Sequence, residues 1–246
     1  MVVLAANPSC SGCPIRHRAV CAECGTDDLA VLEKAKSYQT FFAGARIASE
    51  GEPLTHFSSI VAGAATMSRL LEDGRRQTVG LLMASDFIGR PGRRTTAYDV
   101  EALSEVTVCR FERQTFERLV RDTPAIATRM LAMTLDELDA ARELAVVLGR
   151  MTAREKVASF IVSLARRLAA LDRGAAPAGG VTIELPLSRE QIADHLGLTI
   201  ETTSRQFTAL KKEGLIALPN GRTVMIPDFQ LLTLETGEDD DGGPLV

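Results

Sequence analysis

Four of the five cysteines, Cys10, Cys13, Cys21 and Cys24, lie in one short N-terminal stretch, and the fifth, Cys109, stands far downstream. A Cys-x-x-Cys pair such as Cys10 and Cys13 presents two thiols from one turn of backbone, a device of metal centres and iron–sulfur clusters. Thiolates are the soft ligands that iron in a cluster prefers, and four of them offset its charge. Zinc is the rival, because Cys10, Cys13, Cys21 and Cys24 alone make an all-thiolate tetrahedral set. Against zinc, the seven residues between Cys13 and Cys21 are few for a zinc ribbon, and Cys109 is left without a role. On spacing alone both chemistries stay open. A lone cysteine in a strand, as Cys109 reads, is by itself usually a small buried apolar residue. His17 reads as an exposed side chain, and His56 and His195 sit in no ligand pattern.

A second constellation runs from Leu187 to Phe207. Ser188 caps a helix, with Gln191 three residues on completing a capping box, and Gly197 ends that helix. Thr199 caps a second helix after a tight turn, which makes a helix-turn-helix. In the second helix Ile200, Thr203, Phe207 and Leu210 share one face that must pack inward. Glu201, Ser204, Arg205 and Thr208 then line the opposite face. Their chemistry suits the major groove, where Arg is bidentate to guanine, Glu accepts from cytosine and Ser serves either base. Lys211 and Lys212 are placed for phosphates. Residues 214–226 read as a hairpin wing with Asn220-Gly221 at its turn.

These groups need elements to carry them. The 246 residues suffice for two modest domains. From Tyr38 to about Glu112 the chain reads as short strands, such as Thr78–Met83 and Val100–Phe111, broken by recurrent glycine and proline turns; this predicts a sandwich or barrel. The period then changes to that of helices over Pro124 to Leu148 and Ala153 to Leu171. The first of these has apolar residues at Leu131, Leu135, Leu138, Ala145 and Leu148. Residues 173–180 have the composition of a connector, and the acidic stretch from Glu235 reads as a disordered tail. The net charge of −4 is unevenly spread, at −2 over residues 1–147, +4 over 148–222 and −6 over 223–246. The positive stretch contains the helix-turn-helix, a mild footprint that permits a nucleic-acid contact. No apolar run reaches the ~18 residues of a membrane helix, and the start lacks a signal-peptide core. The expectation is a cytoplasmic protein, with thiols kept reduced. No catalytic motif is present, which argues against an enzyme.

The run Leu198-Thr199-Ile200-Glu201-Thr202-Thr203-Ser204-Arg205 closely resembles the FNR branch of the cyclic-AMP receptor protein superfamily, where Glu-x-x-Ser-Arg is the DNA-reading signature. Residues 10–21 are similar to the FnrL subgroup, and the resemblance covers nearly the whole chain. It implies an α+β fold with an N-terminal antiparallel β-roll of the cyclic-nucleotide-binding kind over 28–122, behind a cysteine segment over 1–27. A dimerisation helix over 123–149, a winged helix-turn-helix over 150–234 and the tail over 235–246 would follow. It further implies an oxygen-responsive, anaerobic transcription regulator with a [4Fe-4S] cluster on Cys10, Cys13, Cys21 and Cys109. Cys24 stands close enough to replace Cys21. Implied partners are RNA polymerase, a second copy of the chain, and double-stranded palindromic DNA with TTGAT-like half-sites, whose guanine would meet Arg205 and its paired cytosine Glu201. A cyclic-nucleotide-responsive regulator of the same fold is the alternative, but the segment Asp86–Pro91 lacks the ribose-binding Glu and Arg94-Thr95 matches the phosphate clasp poorly. A zinc-binding DNA-binding protein is the other.

Overall fold

The computed structural model of the chain describes residues 8–171, 177 and 179–237. It divides into two compact units, residues 1–137 and 138–246.

The first unit opens with the cysteine segment and α1 (Thr26–Ala35). Eight strands follow: β1 (Lys36–Phe41), β2 (Arg46–Ala48), β3 (His56–Ala62), β4 (Ala65–Leu70), β5 (Arg76–Leu82), β6 (Phe87–Ile88), β7 (Asp99–Ala102) and β8 (Val106–Glu112). They form two four-stranded antiparallel sheets, ordered β1-β8-β3-β6 and β2-β7-β4-β5. Ile60 and Val108 from the first sheet and Ala65, Leu82 and Val100 from the second share one buried cluster. Sidedness comes from the two-residue period of the strands, which sends alternate side chains inward.

The single strand expected over Val100–Phe111 is two strands in different sheets, β7 and β8. The chain changes sheet at residues 103–105, and apolar alternation continues on both sides of the crossing, so the break is invisible in the pattern. Gly63, at φ +88°, packs against the Glu105 carbonyl there, where a Cβ would collide. Two helices of this unit escaped the sequence reading, as the helix Phe229–Leu234 did in the second. One is α1; the other is α2 (Arg113–Asp122), capped by the Glu112 carboxylate, which accepts from the Gln114 and Thr115 amides at 3.1 and 2.8 Å. The 27-residue α3 (Pro124–Arg150) gives its first half to this unit.

The second unit contains the rest of α3, then α4 (Ala153–Leu171), β9 (Val181–Glu184), α5 (Arg189–Leu196), α6 (Ile200–Lys212), β10 (Thr223–Ile226) and α7 (Phe229–Leu234). Val157, Ile161 and Leu164 of α4, Ile192 and Leu196 of α5, and Phe207 and Leu210 of α6 form its core. Each such side chain contributes about 1.5–3 kcal/mol on burial. The wing turns at Asn220, whose side-chain oxygen accepts from the Arg222 and Thr223 amides. Its main strand partner is not residues 214–218, as the hairpin reading had it, but β9, from before the helix-turn-helix. Residues 214–218 supply a single bridge, Ala217 to Met225.

Glu235, expected as the first residue of a disordered tail, is held in place. That carboxylate accepts from Arg154 Nε at 2.6 Å, and Thr236 is fully buried. The acidic run 238–241 and most of the expected connector, 173–176 and 178, lie outside the described residues. Among the described residues, no helix is long and apolar enough to cross a membrane.

Candidate iron–sulfur and DNA-reading sites

The cysteine segment folds as a chain of tight turns rather than a helix. Backbone bonds run from the Arg16 amide to the Cys13 carbonyl and from the Cys24 amide to the Cys21 carbonyl. Arg16 staples this loop from within, donating to the carbonyls of Ala22 and Cys24. Ile15, Ala19 and Val20 turn inward and join Leu32 of α1 and Phe111 of β8 in one apolar core. That packing brings distant thiols together. Cys10, Cys13, Cys21 and Cys109 line a single cavity, walled by these same apolar side chains and by Tyr38. Cys24 is buried but does not line it.

Burial pushes the thiols of Cys10 and Cys109 up to about 12, with the Glu33 carboxylate adding to the rise at Cys10. It raises Cys24 to about 11, and Cys21 in the same direction. Neutral thiols in an apolar pocket are primed to give up protons only to a strong positive charge, as a thiolate-binding metal supplies. Two cations oppose this rise, and Arg16 acts on Cys21 and Cys24. Lys36 pulls the Cys10, Cys21 and Cys109 thiols downward by its charge, and its side chain is only 6% exposed.

Lys36 is held by Glu33 at 2.9 Å and donates to the Pro8 carbonyl, which also accepts from the Tyr38 hydroxyl at 3.2 Å. Glu33 accepts from the Cys10 amide at 2.6 Å; that bond, then Lys36, holds its carboxyl near 2. Arg129 of α3 donates to the Arg18 carbonyl at 2.7 Å, so the cysteine loop is bonded to the long helix as well as to the sheet. None of Arg16, Glu33, Lys36 and Arg129 was singled out from sequence.

Among the described residues, no three His, Cys, Asp or Glu side chains are gathered closely enough to hold one metal ion. The four thiols share a cavity instead of a point. Their donor chemistry and their apolar walls fit a polynuclear cluster, in which each thiolate binds its own iron.

The caps and the two faces of α6 are as expected in all but one position. Ser188 and Gln191 form the capping box, Gly197 takes the left-handed conformation, and the Thr199 hydroxyl caps α6. Thr203, Phe207 and Leu210 are buried, but Ile200 is 43% exposed and does not join them. As the first residue of α6, Ile200 lies beyond the edge of the packed face. Glu201, Ser204, Arg205, Thr208, Lys211 and Lys212 are all exposed. Arg205 is steadied by a 3.0 Å bond to the Thr202 hydroxyl, and Thr208 donates to the Ser204 carbonyl.

Residues 155–234 match the Crp-like helix-turn-helix domain, and residues 38–123 the cyclic nucleotide-binding domain. The chain is 52% identical to the transcriptional activator protein FnrL of Cereibacter sphaeroides, over 95% of this chain and 94% of that protein. It is 39% identical to the nitrogen fixation regulation protein FixK of Bradyrhizobium diazoefficiens, over 86% and 87%. The structure of FixK2 from Bradyrhizobium japonicum superposes with a TM-score of 0.73 at 30% identity, covering 81% of this chain and 96% of that one.

Proposed function

The chain belongs to the FNR-type branch of the cyclic-AMP receptor protein superfamily, a DNA-binding transcription regulator and not an enzyme, and we propose that it senses oxygen through a [4Fe-4S] cluster on Cys10, Cys13, Cys21 and Cys109. The observation that carries this reading is the convergence of those four thiols on one apolar cavity that Cys24 does not line. It favours Cys21 over Cys24 as the third ligand. It also favours iron–sulfur over zinc, because the zinc set drawn from the N-terminal segment needs Cys24 and omits Cys109.

When bound, such a cluster supplies an oxygen-reactive redox centre. The chain's own residues hold the loop that would carry it. Arg16 fixes the Cys13–Cys24 turns, Glu33 anchors the Cys10 backbone, and Lys36 places positive charge beside three thiols. Ile15, Val20, Leu32 and Phe111 keep water from the site. Arg129 links the loop to α3, whose Leu131, Leu135 and Leu138 are 62, 52 and 44% exposed. Spaced by four and three residues, they form a seam suited to a second copy of the same helix. In this reading, a docked loop sets α3 for pairing, and a cytoplasmic homodimer reads palindromic DNA with TTGAT-like half-sites, with RNA polymerase as its working partner. Arg205 then meets the guanine and Glu201 its paired cytosine.

Anaerobic isolation followed by iron, sulfide and zinc analysis tests the proposal. The expected result is brown protein with about four irons and four acid-labile sulfides per chain. Stoichiometric zinc without sulfide would overturn it.

A further inference from the structure

Lys156 lies on the first turn of α4 and is 8% exposed, an uncommon place for a lysine. Nothing about α4 itself favours it there. A cation near a helix N-terminus opposes the helix dipole, and burying an ammonium is costly unless it is well bonded. Its Nζ explains the placement. It donates to the Leu148 carbonyl at 3.1 Å and to the Leu196 carbonyl at 3.2 Å.

Both acceptors belong to helix C-termini. Leu148 is in the last turn of α3, and Leu196 is the last residue of α5. Carbonyls there have no partner within their own helix and carry the negative end of its dipole. The turn after α5 bonds back to Ala193, through the amides of Gly197 and Leu198. That leaves the Leu196 carbonyl for the lysine. The two helix ends also lie close together: a Cβ built on Gly197 would come within 3.5 Å of a methyl of Leu148. Gly197 is the pivot of the helix-turn-helix and lies three residues before α6. One ammonium therefore clasps the end of the long helix to the turn that aims the recognition helix.

We propose that Lys156 is a positioning residue that locks the helix-turn-helix to the end of α3 and sets the angle at which α6 meets DNA. The inference rests on DNA binding alone and is independent of which metal the cysteines hold.

Spin labels attached at Val146 of α3 and Ala209 of α6, through a ketone-bearing unnatural side chain, report the distance across this joint within one chain, and affinities are compared on unlabelled protein. The intact protein should give a narrow intrachain distribution. Lys156→Met should broaden it and weaken DNA binding about tenfold on every sequence alike, since misplaced contacts lose affinity without new discrimination. Helix content, metal content and subunit association should match the parent. Lys156→Arg, which keeps charge and donors, should restore both the narrow distribution and the affinity. A Lys156→Met protein with an unbroadened distribution and parental affinity would overturn the proposal. If that variant does not fold, acetic anhydride labelling of the unmutated protein decides. Lys156 should stay unmodified while Lys211 and Lys212 react, whereas a Lys156 that reacts as fast as Lys212 would sink the idea.

Discussion

The cysteine cavity and the recognition helix are built by opposite means. The cavity joins residues 10–21 to residue 109, and its lining is buried or partly buried. The proposed reading face lies along one side of a single helix, α6, and is exposed. A site assembled from remote segments loses its coordination as a whole when one member goes. A site laid along a helix loses one contact at a time. Sensing and reading place different demands on a fold, and the predictions below exploit that contrast.

The largest effect should come from Cys109→Ser. It leaves the N-terminal segment intact but removes the thiol that ties it to the sheet, and iron and sulfide should fall to background. Cys24→Ser should retain both. Equal loss in the two variants would mean that the cavity does not define the ligand set.

Next in size is Arg205→Ala. Loss of a bidentate arginine–guanine contact costs about 1–3 kcal/mol at that base pair, and a twofold complex makes it count twice. Binding to sites with the guanine replaced should barely change further. Lys211→Ala should instead weaken all sequences alike and flatten the salt dependence. Titrations against paired wild-type and substituted operators, at two salt concentrations, separate the two behaviours. Arg205→Ala with parental selectivity would remove α6 from the reading role.

Arg129→Met tests whether the two styles of site are connected. It deletes a charge-assisted bond to the Arg18 carbonyl, of the kind that contributes about 1.5–3 kcal/mol. In metal-free protein, alkylation of Cys21 and Cys24 should accelerate about tenfold as the loop opens more often. Unchanged alkylation would show that the sheet alone holds the loop.

The smallest effect belongs to Asp139→Ala. The acidic row Asp136, Asp139 and Glu143 flanks the α3 seam, and like charges there would oppose pairing. Asp139 is already bonded to Arg142 at 3.0 Å in its own helix. Exposed pairs of this sort contribute under ~1 kcal/mol, so removing the charge should shift the cluster-free protein only a few-fold toward dimer. Sedimentation in air, with Glu72→Ala at an exposed site away from the seam as a control, reads the shift. An unshifted equilibrium would assign the charge row no part in association.

Much of this molecule was legible before folding. Helix caps, the turn glycine and the 3.6-residue period are local matters, so Ser188, Gly197, Phe207 and the exposed face from Glu201 to Lys212 could be placed from their neighbours alone. The cysteine set was reached differently. Spacing left iron–sulfur and zinc both open, and only a family likeness pointed to Cys109. What the sequence could not carry was long-range. The crossing between β7 and β8, the pairing of β10 with β9 and the choice of Cys21 over Cys24 at the cavity depend on contacts between segments far apart in the chain. The same holds for Arg129 on the Arg18 carbonyl and Lys156 on two helix ends. A backbone carbonyl acceptor leaves no residue-type signature, because every residue has one. The sequence by itself therefore determined which side chains do chemistry and which local elements present them. Tertiary packing alone decided which distant groups share a low-dielectric space, where their charges and bonds count most.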